Sequence, residues 1–145
     1  MVDLTECKKK GMVKKVNLDY NLIESLIRSS NKKNASSDEL KLSDITATSI
    51  ISLKYDSLRE LLEAISLLNG YKINNHICYV AFLIEILKLG DLANKFNSFR
   101  KLRNGINYYG DDILADDAKK LIIDINSSIS VCKKLLNVKN TWYLL

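Results

Sequence analysis

The sequence predicts an all-α fold, an antiparallel bundle of four to five helices. Three observations carry that expectation. Apolar residues recur at helical spacing through five separate segments. Proline is absent and there are only five glycines, so little interrupts a helix. No segment alternates apolar and polar residues as a half-buried strand does. At 145 residues the chain reads as one domain with enough surface to bury a core unaided, and the short connections between segments favour antiparallel neighbours.

The first predicted helix runs from Leu18 to about Ser29, with Asn17 as N-cap and Leu22, Ile23, Leu26 and Ile27 as its apolar face. The polar stretch from Ser29 to Ser43 reads as an exposed loop, inside which Ser36-Ser37-Asp38-Glu39 has the spacing of a capping box. In the second helix Ile51, Tyr55, Leu58, Leu62, Ile65 and Asn69 alternate steps of four and three. Ser43 or Asp44 opens it, and Asn69-Gly70 closes it. The third spans Asn75 to Leu89 and is apolar on nearly every side, which predicts burial by more than one neighbour. The fourth opens at Asp91 and reaches Tyr109, and Gly110-Asp111-Asp112 turns the chain. In the fifth, Leu114 to Leu136, Asp116 and Asp117 suit the positive end of the helix dipole, and Lys133 and Lys134 the negative end. The tail Trp142-Tyr143-Leu144-Leu145 is apolar enough to be expected to pack.

The formal net charge is +5, and residues 1–15 carry five lysines against Asp3 and Glu6. Residues 1–16 therefore read as a basic N-terminal arm ahead of a single helical domain over 17–145. A basic arm permits a nucleic-acid partner, and a solvated terminus explains it equally. The three cysteines, Cys7, Cys78 and Cys132, have neither metal nor redox spacing, so reduced thiols in a cytoplasmic protein are expected. Cys78 and Cys132 read as small core residues. No apolar run follows the basic terminus as a signal peptide requires. The longest apolar stretch, Ile77 to Leu87, is too short to span a bilayer and contains Glu85, so no membrane contact is expected.

Several chemistries lack their residues. One histidine, His76, rules out a histidine cluster within one subunit. There is no phosphate-binding glycine loop and no Gly-x-Ser-x-Gly elbow. The run Asp111-Asp112 to Asp116-Asp117 reads as helix-start chemistry rather than a metal site, and neither metal nor cofactor is expected.

The functional reading starts at Arg103. On a wheel of about 100° per residue, Leu92, Phe96, Phe99, Leu102, Ile106 and Tyr109 form one arc, Arg103 falls inside it, and Arg100 and Asn107 lie close beside it. A guanidinium aimed at a core needs an anion or an acceptor, because an unpaired buried charge is very costly. Glu85, alone in an apolar helix, is the candidate partner inside the bundle. The alternative is a ligand phosphate, which the fork of arginine fits well. Asn104 and Asn107 either satisfy carbonyls where Gly105 loosens the turn or join the site. Tyr108 and Tyr109 either pack with a wet hydroxyl or stack on bases. On an ideal helix Tyr108 points away from Arg103, so it joins the site only through a break near Gly105 or a partner subunit. His76 is expected to cap or orient the turn into the third helix.

Two blocks resemble the HEPN family of small helical bundles, named for higher eukaryote and prokaryote nucleotide binding. The first is Tyr55-Asp56-Ser57-Leu58-Arg59-Glu60-Leu61-Leu62-Glu63-Ala64, followed by Gly70-Tyr71-Lys72-Ile73-Asn74-Asn75-His76. It is similar to the second helix of the family and the turn into its third. The other is Phe99-Arg100-Lys101-Leu102-Arg103-Asn104-Gly105-Ile106-Asn107-Tyr108-Tyr109-Gly110, which resembles the helix bearing the signature Arg-x(4–6)-His. The likeness covers roughly residues 45–137. It implies a homodimeric bundle, binding of RNA or a nucleotide, metal-independent ribonuclease activity in members that keep both signature residues, and in many prokaryotic cases a toxin paired with a small nucleotidyltransferase antitoxin. Arg103 takes the place of the signature arginine, and Asn104 that of the asparagine that often follows it. The histidine window holds Tyr108, Tyr109 and Gly110 instead. A tyrosine of ordinary pKa, about 10, is only roughly a thousandth ionised at pH 7, so Tyr108 suits orienting a phosphate better than taking a proton.

These residues lead to three expectations. The first is an RNA- or nucleotide-binding module using Arg100, Arg103, Asn104, Asn107, Tyr108, Tyr109 and His76. The second is a non-catalytic protein-interaction bundle. The third is a ribonuclease in which Arg103 acts with Tyr108 or His76.

Overall fold

The computed structural model describes residues 2–139; the expected packing of the Trp142–Leu145 tail lies outside them. The described residues form six helices and one short two-stranded ribbon, in the order α1 (Leu4–Lys9), β1 (Val13–Lys15), α2 (Tyr20–Glu39), α3 (Ala47–Leu68), β2 (Tyr71–Ile73), α4 (His76–Glu85), α5 (Gly90–Tyr109) and α6 (Ala115–Lys139). α3 is the central element. It packs against α2 on one side and α6 on the other, while α4 pairs with α5. Leu58, Leu61, Leu62 and Ile65 of α3 are buried with Phe82, Leu83 and Phe96, each such side chain contributing about 1.5–3 kcal/mol of transfer free energy. No described helix is long and apolar enough to cross a membrane.

The segment expected as a free basic arm is folded. Asp3 caps α1 by accepting from the Glu6 N–H, and Leu4 and Cys7 are buried. β1 pairs antiparallel with β2, Val13 opposite Ile73. Three residues per strand are too few to show alternation, which is why no strand was legible. The lysines of this segment project outward while its apolar positions reach the core. Cys7 and Cys78 form a disulfide, which corrects the expectation of reduced thiols, and Cys132 is the free cysteine. Their 71-residue separation hides the pairing from any spacing rule.

A second correction concerns 29–43, expected as a loop. α2 continues to Glu39, because its polar residues find partners on α3. The Ser30 hydroxyl donates to the Ser57 carbonyl and meets the Ser57 hydroxyl, both at 2.8 Å. Lys33 pairs with Glu60. Lys54 is buried to 1% exposure and donates to Asn34 Oδ1, Asp38 Oδ1 and Asn126 Oδ1 at 2.9, 2.9 and 2.8 Å. The low hydrophobicity of 29–43 reflects a hydrogen-bonded seam on one helix face and solvent exposure on the other. The helix starts also shift. Asp19, not Asn17, caps α2, and Thr46 precedes α3, with Ser43 and Thr46 exchanging backbone-to-hydroxyl bonds at 3.0 and 3.3 Å.

Candidate functional site

A cavity of about 360 Å³ opens between α3, the segment entering α4, and the C-terminal half of α5. α3 supplies Tyr55 and Asp56, the α4 entry supplies Asn74, Asn75 and His76, and α5 supplies Arg100, Arg103, Asn104, Asn107 and Tyr108. Asn75 makes the entry rigid: its side chain accepts from the Ile77 N–H at 3.0 Å, so α4 starts with His76 at the cavity wall. The Asn74 N–H donates to the Met12 carbonyl at 2.8 Å, tying the same segment to the N-terminal residues.

In this cavity, Arg103 is the residue left with unsatisfied buried atoms among the described residues. Its side chain is 20% exposed, and Nη2 lies 3.5 Å from Asp56 Oδ1. Nε and Nη1 are buried and have no hydrogen-bond partner among the described residues. The expected partner Glu85 is engaged elsewhere, since its Oε2 accepts from the Leu4 N–H at 2.6 Å. Arg100 is held by Asn97, whose Oδ1 accepts from Nε and Nη2 at 3.1 and 2.9 Å.

His76 Nδ1 and the Tyr55 hydroxyl are 2.9 Å apart. Tyr55 is buried and stacks on Phe96, with ring centroids at 5.6 Å and planes within 10°. Burial raises the Tyr55 pKa far above neutrality, against the pull of Arg59 and Arg100. Burial also lowers the pKa of His76, and Arg59 acts in the same direction. Asp56 opposes them, and Arg100 and Arg103 lower it further. His76 is therefore neutral at pH 7. Behind the cavity, Arg59 donates to Glu63 Oε2 at 3.0 Å and Lys72 to Oε1 at 2.9 Å. Those bonds outweigh the desolvation of Glu63 and hold its pKa below the usual carboxylate range.

Six of the seven expected site residues line one cavity. Tyr108 does so although α5 runs unbroken past Gly105; with 76% of its surface exposed, it stands at the mouth rather than inside. Tyr109, expected both in the apolar arc and at the site, is 82% exposed and does not line the cavity. Helix geometry explains this, because Gly110 takes the left-handed conformation that ends α5 and the last turn extends beyond its packing neighbours. Asn104 and Asn107 make no side-chain hydrogen bond to the described residues, so neither serves the helix-end carbonyls as one reading had it. Tyr55 and Asp56 were not among the expected site residues: a wheel of α5 alone says nothing about which α3 residues face it.

No protein-family model matches the chain, and no curated protein matches it. The site therefore stands on its own geometry. Among the described residues no group of three or more histidine, cysteine, aspartate or glutamate side chains comes together as a metal site would need. The acidic run after α5 is used structurally: Asp112 Oδ1 accepts from the Thr48 hydroxyl at 2.7 Å and from the Ile113 N–H at 3.0 Å.

Proposed function

We propose that the chain is a HEPN-like helical module whose cavity binds the phosphate of RNA or of a nucleotide. The observation that carries this reading is the Arg103 guanidinium, with two buried nitrogens that have no acceptor, at a cavity also lined by Arg100 and His76. A phosphate oxygen is an acceptor suited to a guanidinium, and the charge-assisted bond it makes is roughly twice as strong as a neutral one. Asp56 is the single acidic residue of the lining against two arginines. Asn104 and Asn107 offer amides free to meet ribose or base edges, and Tyr108 at the mouth offers a ring for a base to stack on. All ten lining residues fall within the segments that carry the HEPN resemblance.

The exposed Tyr108 and Tyr109 rings beside the cavity suit a second copy of the chain, so a homodimer with the cavities near its seam belongs to the same proposal, with a small nucleotidyltransferase as protein partner. A ribonuclease is the second reading, favoured by the presence of His76 in the same cavity. The deciding experiment is titration of a fluorescent single-stranded RNA into wild type and Arg103→Ala. Wild type binds with an affinity that falls as salt rises, and the variant loses most of it. Equal binding by both would end the proposal.

A further inference from the structure

We propose that Tyr55 is the positioning residue of this cavity: its hydroxyl donates to His76 Nδ1, which fixes the imidazole in the Nε2–H form and makes His76 a neutral hydrogen-bond donor to the ligand rather than a proton acceptor. The inference rests on the phosphate-binding reading above and defines how the site treats what it binds.

The argument begins with the hydrogen of the phenol. Tyr55 is buried, and a buried hydroxyl proton without an acceptor is costly. Among the described residues the hydroxyl has one hydrogen-bond partner, His76 Nδ1 at 2.9 Å. Stacking on Phe96 holds the ring plane, and with it the hydroxyl oxygen, at this position beside His76. A neutral imidazole carries one proton and one lone pair. Once the lone pair at Nδ1 accepts from Tyr55, the proton must sit on Nε2. With Nδ1 occupied, Nε2 is the ring nitrogen left to meet a ligand.

The surrounding charges keep the ring in this form. α3 contributes Asp56 and Arg59, α5 contributes Arg100 and Arg103, and α4 contributes Tyr79, whose ring centroid is 6.3 Å from that of His76. Three guanidiniums against one carboxylate oppose imidazolium. A second proton on Nδ1 would also meet the Tyr55 hydroxyl hydrogen and force it to turn away from its acceptor.

The consequence is chemical. Cleavage of RNA by attack of the 2′-oxygen needs a group with a free lone pair to take the 2′-hydroxyl proton. In the Nε2–H form the ligand-facing nitrogen has none. The cavity thus combines two arginines and a neutral N–H around a phosphate, an arrangement that binds and orients it while leaving the diester intact.

The test uses the full chain. Its single histidine gives one set of ring signals in two-bond proton–nitrogen correlation spectra. At pH 7.5, free of ligand, wild type should show a protonated Nε2 and an unprotonated Nδ1. Adding inorganic phosphate should shift Nε2 more than Nδ1. In Tyr55→Phe, which removes only the hydroxyl, the Nδ1–H form should gain population while the thermal transition stays cooperative. His76→Ala should lose roughly fivefold in RNA affinity, and His76→Gln, which keeps an N–H donor, should recover most of it. A predominant Nδ1–H form in wild type, an unchanged tautomer in Tyr55→Phe, or RNA cleavage by wild type that His76→Gln abolishes would each overturn the proposal. Because the tautomer is read without ligand, failure of Arg103→Ala to weaken RNA binding would count against the phosphate reading separately.

Discussion

Asp56 and Arg103 form a one-sided pair: Nη2 lies 3.5 Å from the carboxylate while Nε and Nη1 have no acceptor among the described residues. Asp56 therefore competes with a bound anion without saturating the arginine. Asp56→Asn should raise affinity for single-stranded RNA severalfold at low salt, with a smaller gain as salt screens the charge. Arg103→Ala should lower it by roughly 10- to 100-fold, the value of a charge-assisted bond. Fluorescence anisotropy across a salt series measures both.

The same unsatisfied nitrogens predict a separation of stability from binding. A buried polar group without a partner is a cost to the fold, and replacing it by an apolar side chain of similar length removes that cost. Arg103→Met should keep the melting temperature within about 2 °C of wild type or raise it, while RNA binding is lost. A Tm drop of about 10 °C would instead mean that Arg103 holds the bundle together.

Where hydrophobic period decides structure, the sequence was legible. α3 and α5 were predicted within a few residues of their ends because their apolar positions recur at three and four. Arg103 was located by the conflict between its charge and its inward position, and five further site residues lay near it or at the start of α4. What could not be read depends on contacts between elements. The polarity of 29–43 suggested a loop because the hydrogen-bond partners of Ser30, Lys33 and Asn34 stand on α3. Asp56, rather than Glu85, was identified as the partner of Arg103 only once α3 and α5 were placed side by side. Glu85 instead meets the backbone of α1, in a segment whose lysines conceal three buried apolar positions, Leu4, Cys7 and Val13.

That N-terminal segment yields a prediction about thiols. Cys7 and Cys78 are 71 residues apart, with Cα atoms at 6.1 Å, and by chain entropy a crosslink of this span stabilises the fold by about 4 kcal/mol. Cys7→Ser with Cys78→Ala should lower Tm by on the order of 10 °C. Thiol titration of unfolded, unreduced protein should find one free thiol, that of Cys132. In the folded protein this thiol should resist alkylation, because burial pushes its pKa up to about 12.

The Lys54 seam makes a prediction of a different kind. Its ammonium uses all three protons on oxygens from α2 and α6. Lys54→Ala leaves a cavity and three acceptors without their donor, and should cost about 3 kcal/mol or more. Lys54→Arg should not restore stability, since a planar fork does not reproduce three tetrahedral bonds. Urea midpoints of the two variants provide the measurement, and the RNA affinity of whatever remains folded should be unchanged.

His76 gives the fold a pH dependence whose sign follows from its surroundings. Unfolded, it titrates near the ordinary value of 6.5; folded, burial and the nearby guanidiniums lower its pKa. Between the folded value and 6.5 the unfolded chain binds a proton that the native chain does not, so stability rises with pH through that window. The contribution is fully present above 6.5 and is lost as pH falls through the folded value. Glu63, whose folded pKa lies below the ordinary 4.5, acts in the same direction but lower on the pH scale, so the two separate. Urea unfolding at steps from pH 7.5 to 5.5 should show the midpoint of wild type falling and that of His76→Gln nearly level. If both slopes were the same, His76 would not be the group that the buried phenol and the arginines hold neutral.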